Sequence, residues 1–259
     1  MLSGLERVCA SGGRRMVWKV GLALVLLMAV SGTAIFAGSS IPTPLLTLDE
    51  SGILSTYTAN HRINLDSAFF KSLGTNGRSC ATCHQPQDAW SVTPQNIQAR
   101  FLISSGKDPI FRTVDGANCP SADVSTVEKR RSAYSMLLKK GLIRVSLAVP
   151  TTADFSIQDI RDPYNCPETN SVTAALYRRP LPSTNLGFLA TVMWDGRETV
   201  KGAPIADDLA TQAVDATTGH AEAAEAPTAE QVADIVKFET DLYTAQVYDI
   251  RAGNLTERG

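Results

Sequence analysis

The 259-residue sequence has no excess of positive charge: 24 Lys and Arg stand against 26 Asp and Glu. A basic surface for nucleic acid has no compositional basis, so no nucleic-acid partner is expected. Histidine is scarce, with three residues, and cysteine numbers five. Five cysteines are too few to scaffold a chain of this length, so their placement matters more than their number. Charged residues make up 19% and apolar residues 44%. That balance excludes a disordered or collagen-like chain and allows a sizeable buried core. No internal repeat and no βαβ alternation is visible.

Arg14, Arg15 and Lys19 precede an uncharged apolar run from Val20 to Ala37. A cationic segment followed by such a run reads as a signal peptide or membrane anchor over residues 1–37. The run, about 18 residues, is at the lower limit for crossing a bilayer, so cleavage and anchoring through residues 20–37 both stay open. Either outcome exports the remainder, and a periplasmic location is expected. Without residues 1–37 the balance is 20 basic against 25 acidic residues, mildly acidic. Residues 38–47 contain Ile41-Pro42-Thr43-Pro44 and read as an extended linker, because proline disfavours helix in the residue before it. Residues 48–259 read as the folded domain.

Within that domain, residues 104–126 are rich in Gly, Asp, Ser and Pro and read as a long loop, part of an inserted region spanning about 104–170. Val127 to Leu142 reads as a helix with Tyr134, Met136, Leu137 and Leu138 inward. Ile143 to Val149 alternates as a strand would. Thr173 to Arg179 reads as a short helix stopped by Pro180. Thr228-x-x-Gln231 is a capping box. Val232, Ile235, Val236 and Leu242 follow it at helical spacing, and Glu239 breaks the apolar stripe. Helices and loops dominate, so the expected fold class is mainly α.

Residues 80–84 read Cys-Ala-Thr-Cys-His. Cys-x-x-Cys-His is the attachment motif of c-type haem. Thiols three residues apart share one side of a helical turn and can add to the two vinyl groups of one porphyrin. The next residue, His84, then supplies the proximal nitrogen to iron. A redox dithiol or half of a zinc site are the competing readings. The first calls for a βαβ context and the second for another ligand pair, and neither is present. Cys119 and Cys166 stand in matching Asn-Cys-Pro contexts, 47 residues apart. In an oxidising compartment they read as a disulfide, with two free buried thiols as the alternative.

Two blocks carry a resemblance to the bacterial di-haem cytochrome c peroxidases. One is Gly77-Arg78-Ser79-Cys80-Ala81-Thr82-Cys83-His84. The other is Met193-Trp194-Asp195-Gly196-Arg197, followed by Leu209-Ala210-Thr211-Gln212-Ala213. The resemblance implies a cytochrome c-like helical haem domain with one covalent haem c. It also implies hydrogen peroxide as substrate and a small electron-donor protein, such as a cytochrome, as partner. It assigns Trp194 to electron passage between haems, and Gln212 and Glu222 to the peroxide-binding face. The chain departs from the family in three ways. His84 and Trp194 are 110 residues apart, no histidine lies between them, and there is a single Cys-x-x-Cys-His. The chain thus resembles the N-terminal, peroxidatic half of an elongated member, encoded short or truncated. Candidates for the sixth iron position are His220, Met193, Met136 and His61, or none of them. Some relatives hold calcium between their haems, but nothing in this sequence selects a site for it. The alternatives are a mono-haem electron-transfer module without peroxidase turnover, and a fragment without function.

Overall fold

The computed structural model describes residues 39–170 and 172–256. The segment read as a signal peptide or anchor, 1–37, lies outside the described residues. No helix among the described residues is long and apolar enough to cross a membrane.

Among the described residues there are eight strands and five α-helices. The strands are β1 (Ser40–Pro42), β2 (Leu45–Leu48), β3 (Gly52–Thr58), β4 (Arg62–Asn64), β5 (Ile143–Ala148), β6 (Thr173–Arg178), β7 (Leu242–Asp249) and β8 (Gly253–Asn254). The helices are α1 (Pro94–Ser104), α2 (Val127–Ala133), α3 (Ser135–Lys140), α4 (Ile205–Gly219) and α5 (Ala229–Thr240). The expectation of a mainly α, cytochrome c-like helical domain is therefore corrected: short helices share the chain with three antiparallel sheets. The largest sheet has the order β2-β3-β7-β8, so it joins the two ends of the described chain.

The sheets have local causes. β3 alternates buried Leu54, Thr56 and Thr58 with less buried Ile53, Ser55 and Tyr57. That is the period of a strand with one face covered. β3 pairs with β7 from Leu54↔Gln246 to Thr58↔Leu242. Gly52 is required beside this register, because a Cβ there would lie 1.9 Å from the Tyr248 carbonyl oxygen. The stretch read as a linker over 38–47 is extended but paired, β1 with β4 and β2 with β3. Thr173 to Arg179, expected to be helical, is corrected to β6. It pairs with β5 from Ile143↔Arg178 to Ala148↔Thr173. A six-residue segment has too little helix propensity to resist such pairing, and Val145↔Leu176 places two strand-compatible side chains opposite each other.

Other expectations hold. The helix expected over 127–142 forms as α2 and α3, broken at Tyr134, and Tyr134, Met136, Leu137 and Leu138 are all buried. Ile143 to Ala148 is a strand. α5 starts at its capping box: Gln231 N–H donates to Thr228 Oγ1 at 3.3 Å, and Thr228 N–H to Gln231 Oε1 at 2.8 Å. Cys119 and Cys166 form a disulfide with Cα atoms 5.4 Å apart.

Two apolar clusters meet at the Cys80–His84 segment. One contains Ile97, Phe101, Phe111, Tyr134 and Leu137, with Cys83 packed against it. The other contains Ile63, Phe69, Trp90, Ile235, Phe238 and Leu242, with Cys80 and Ala81 packed against it. Burying side chains of this size stabilises the fold by about 1.5–3 kcal/mol each. The motif is thus seated between two parts of the core.

Candidate functional site

Cys80 to His84 form a single helical turn. Cys83 N–H donates to the Cys80 carbonyl at 3.2 Å and His84 N–H to the same carbonyl at 3.0 Å. Thr82 Oγ1 accepts from Ser79 N–H at 2.9 Å and closes the start of the turn. Both thiols and the imidazole line a cavity of about 600 Å³. This volume is in the range of cofactor sites, about 300–1,000 Å³. Leu54, Leu73, Ile143, Val145, Leu186, Leu209 and Ile235 supply apolar wall, and Gln212, His220 and Glu239 supply polar groups.

His84 has a defined tautomer. Its Nδ1 lies 2.8 Å from the Trp90 carbonyl oxygen, which can only accept, so Nδ1 carries the hydrogen. Nε2 then holds the lone pair that a metal needs. Ala89 and Trp90 both take positive φ, 53° and 59°, and this left-handed pair turns the Trp90 carbonyl back toward His84. Burial lowers the His84 pKa to about 4, so the ring is neutral at pH 7. Burial pushes the Cys80 and Cys83 thiols up to about 12 and about 11. A redox dithiol needs the opposite shift. A zinc site also lacks support: among the described residues only Cys119, Cys166 and Glu168 are close enough to share an ion. The disulfide takes up both of those sulfurs.

The opposite end of the polar wall is a buried ionic network. Arg78 Nη1 lies 2.7 Å from Asp115 Oδ1 and 2.8 Å from Oδ2, with the hydrogen bond directed to Oδ2. The guanidinium also donates to the carbonyls of Pro109 at 2.9 Å and Ile110 at 2.7 Å. His220 Nδ1 lies 2.6 Å from Asp115 Oδ2. Burial alone would raise the Asp115 pKa; the His220 hydrogen bond and the Arg78 charge overcome it and hold the carboxyl below its ordinary value. As an ionised acceptor Asp115 draws the hydrogen of His220 to Nδ1, leaving the lone pair on Nε2. Gly74 brings the chain before the motif against this loop. A Cβ there would lie 1.9 Å from the Ala221 carbonyl oxygen.

The remaining sequence-derived site residues divide. Gln212, on α4, and Trp194 both line the cavity. Trp194 is 56% exposed and its Nε1 donates to the Arg179 carbonyl at 2.9 Å. Met193 and His220 line the cavity as well. Met136 is buried elsewhere, and His61 sits in the β3–β4 turn against Tyr57, 5.2 Å between ring centroids. Glu222 is exposed and is not part of the cavity wall. α4 ends at Gly219, and Glu222 takes φ 53° as the chain turns outward. Its carboxylate there accepts from Asn76 Nδ2 at 2.9 Å. Ten residues of spacing from Gln212 therefore do not place the two side chains together.

Sequence reasoning missed Asp115, Ser183 and Glu239. Glu239 had a signal, as the one acidic residue in the apolar stripe of α5. It is buried, its Oε2 has no hydrogen-bond partner, and burial pushes its carboxyl up to about 7. Asp115 and Ser183 had no local signal.

The residues present fit a haem: two thiols and an imidazole on one turn, an apolar cavity of cofactor size, and a buried polar atom without a partner. Comparison with known proteins adds nothing to this geometry: no family model, no curated protein and no solved structure matches the chain.

Proposed function

We propose that this chain is an exported c-type haem protein that reduces hydrogen peroxide with electrons from a small donor protein. The observation that carries the reading is the placement of Cys80, Cys83 and His84 on one cavity wall, with His84 Nδ1 tied to the Trp90 carbonyl. Cys80 and Cys83 would hold the haem through thioethers and His84 would ligate its iron. When bound, the haem supplies the redox centre at which peroxide is reduced.

The chain's own groups then have separate tasks. Trp90 orients His84 and keeps its Nε2 available. Gln212 offers an amide that can hold peroxide by hydrogen bonds. Peroxide reduction also needs a group that accepts and returns a proton, a role usually filled by histidine or a carboxylate. Glu222, turned to the surface, is badly placed for it. His220 is better placed, because Asp115 holds its Nδ1–H and leaves Nε2 as a base.

One observation favours a second reading. The same Asp115–His220 arrangement is the one that prepares a histidine to ligate a metal. If His220 binds the iron, the protein is a six-coordinate electron-transfer module without turnover. Protein made with haem c maturation should carry covalent haem by mass spectrometry; an unmodified mass would sink the haem reading altogether. Under the peroxidase reading the resting spectrum keeps an open position, and His220→Ala slows peroxide turnover about 10²–10⁴-fold. A low-spin spectrum that becomes high-spin in His220→Ala, with no turnover in the parent, establishes the electron-transfer reading instead.

A further inference from the structure

We propose that Glu239 acts through Ser183 on His84, as the charged end of a hydrogen-bond relay that strengthens the imidazole as an iron ligand. The inference rests on the reading of His84 as the proximal ligand and goes beyond it by naming what sets that ligand's strength. Glu239 stands in the last turn of α5 and is 5% exposed; Ser183 comes from the loop after β6 and is also 5% exposed. Ser183 Oγ lies 3.0 Å from His84 Nδ1. Glu239 lines the same cavity as Ser183 and His84, and the Ser183 side chain acts on its carboxyl against the rise that burial causes. Ser183 N–H donates to the Trp90 carbonyl at 2.9 Å, the same oxygen that accepts from His84 Nδ1 at 2.8 Å. The serine is therefore anchored by its backbone to the group that orients the histidine.

The direction of each hydrogen bond follows from chemistry. His84 has one Nδ1 hydrogen, shared between the Trp90 carbonyl oxygen and Ser183 Oγ, so the serine accepts from it and turns its own hydrogen toward the carboxylate. Donors in series polarise one another toward the negative end. Electron density moves onto the imidazole, and Nε2 becomes the stronger base. A stronger ligand favours ferric over ferrous iron and lowers the reduction potential. The arrangement has a structural cost. An apolar residue would complete the stripe of Val232, Ile235 and Val236, whereas the carboxyl leaves Oε2 buried without a partner. A residue kept for packing alone gains nothing from that charge.

The test is the midpoint potential of haem-loaded protein at pH 8, by spectroelectrochemical titration, for Glu239→Gln, Ser183→Ala, Ser183→Thr and the Glu239→Gln/Ser183→Ala pair. Both Glu239→Gln and Ser183→Ala should raise the potential, by about tenfold in the reduction equilibrium, which is 59 mV for one electron. The pair should rise no further than the larger single change, because one relay is broken only once. Ser183→Thr keeps the hydroxyl and should stay near the parent. Unchanged potentials overturn the relay, and so does a shift in Glu239→Gln with none in Ser183→Ala, which is the signature of a charge acting through space. If Glu239→Gln fails to load haem, Ser183→Ala against Ser183→Thr decides alone. Parent protein without covalent haem overturns the proximal reading itself, an outcome the mass measurement separates from the others.

Discussion

Asp115→Asn removes one charge from the most deeply buried ion pair among the described residues and leaves the shape almost unchanged. Arg78 and Asp115 have side chains only 3% and 6% exposed. Taking one partner from such a pair leaves an uncompensated charge and costs about 3–5 kcal/mol. Here the cost falls at the lower end. Arg78 keeps its hydrogen bonds to the carbonyls of Pro109, Ile110 and His220. Asparagine also still offers an oxygen to His220. The expected loss is about 3 kcal/mol, read as a fall of about 1.5 M in the urea midpoint when m is near 2 kcal/mol/M. The double variant Arg78→Met/Asp115→Leu should lose less than Asp115→Asn alone, since it removes both charges. The pH dependence has a definite sign. The folded pKa of Asp115 lies below its unfolded value of about 3.9, so its contribution is complete above that pH. It fades as pH falls through the lower, folded value. The gap between parent and Asp115→Asn should therefore close in strong acid, once the folded carboxyl is protonated. A loss under about 1 kcal/mol at pH 7, or a double variant less stable than the single one, would refute the reasoning.

Glu239 gives the opposite profile. Its folded pKa of about 7 exceeds the unfolded value of about 4.3, so stability falls as pH rises between those two values, by about 4 kcal/mol in all. Glu239→Gln should remove that slope in urea denaturation and be the more stable protein at pH 8; a parallel slope in both refutes the assignment. Replacing Cys119 and Cys166 by serine opens a loop of 47 residues and should cost about 4 kcal/mol by the chain-entropy relation, measured as a lower midpoint with reductant absent. A change under about 1 kcal/mol would count against that account of the crosslink.

Local chemistry was legible from the residues alone. The Cys-x-x-Cys-His turn needs only adjacent residues, and it forms as one turn with both thiols and His84 on the cavity. The capping box at Thr228 and Gln231 and the stripe of α5 depend on spacing within one helix, and both are found. The Cys119–Cys166 pair was readable because few partners were available. What sequence order does not encode is which distant segments meet. β3 and β7 pair across about 190 residues, and that pairing, with β5–β6, turned an expected helical fold into a mixed one. Ala-Ala-Leu in β6 suits a helix locally, but a strand partner outweighs so short a preference. The same distinction runs through the site. Glu222 stood at a plausible spacing from Gln212, yet the end of α4 turns it to solvent. Asp115, Ser183 and Glu239 lie on three separate segments and reach the two histidines only after the core has closed around them. Their roles depend on burial and on hydrogen bonds of about 3 Å, quantities that exist only in the folded chain.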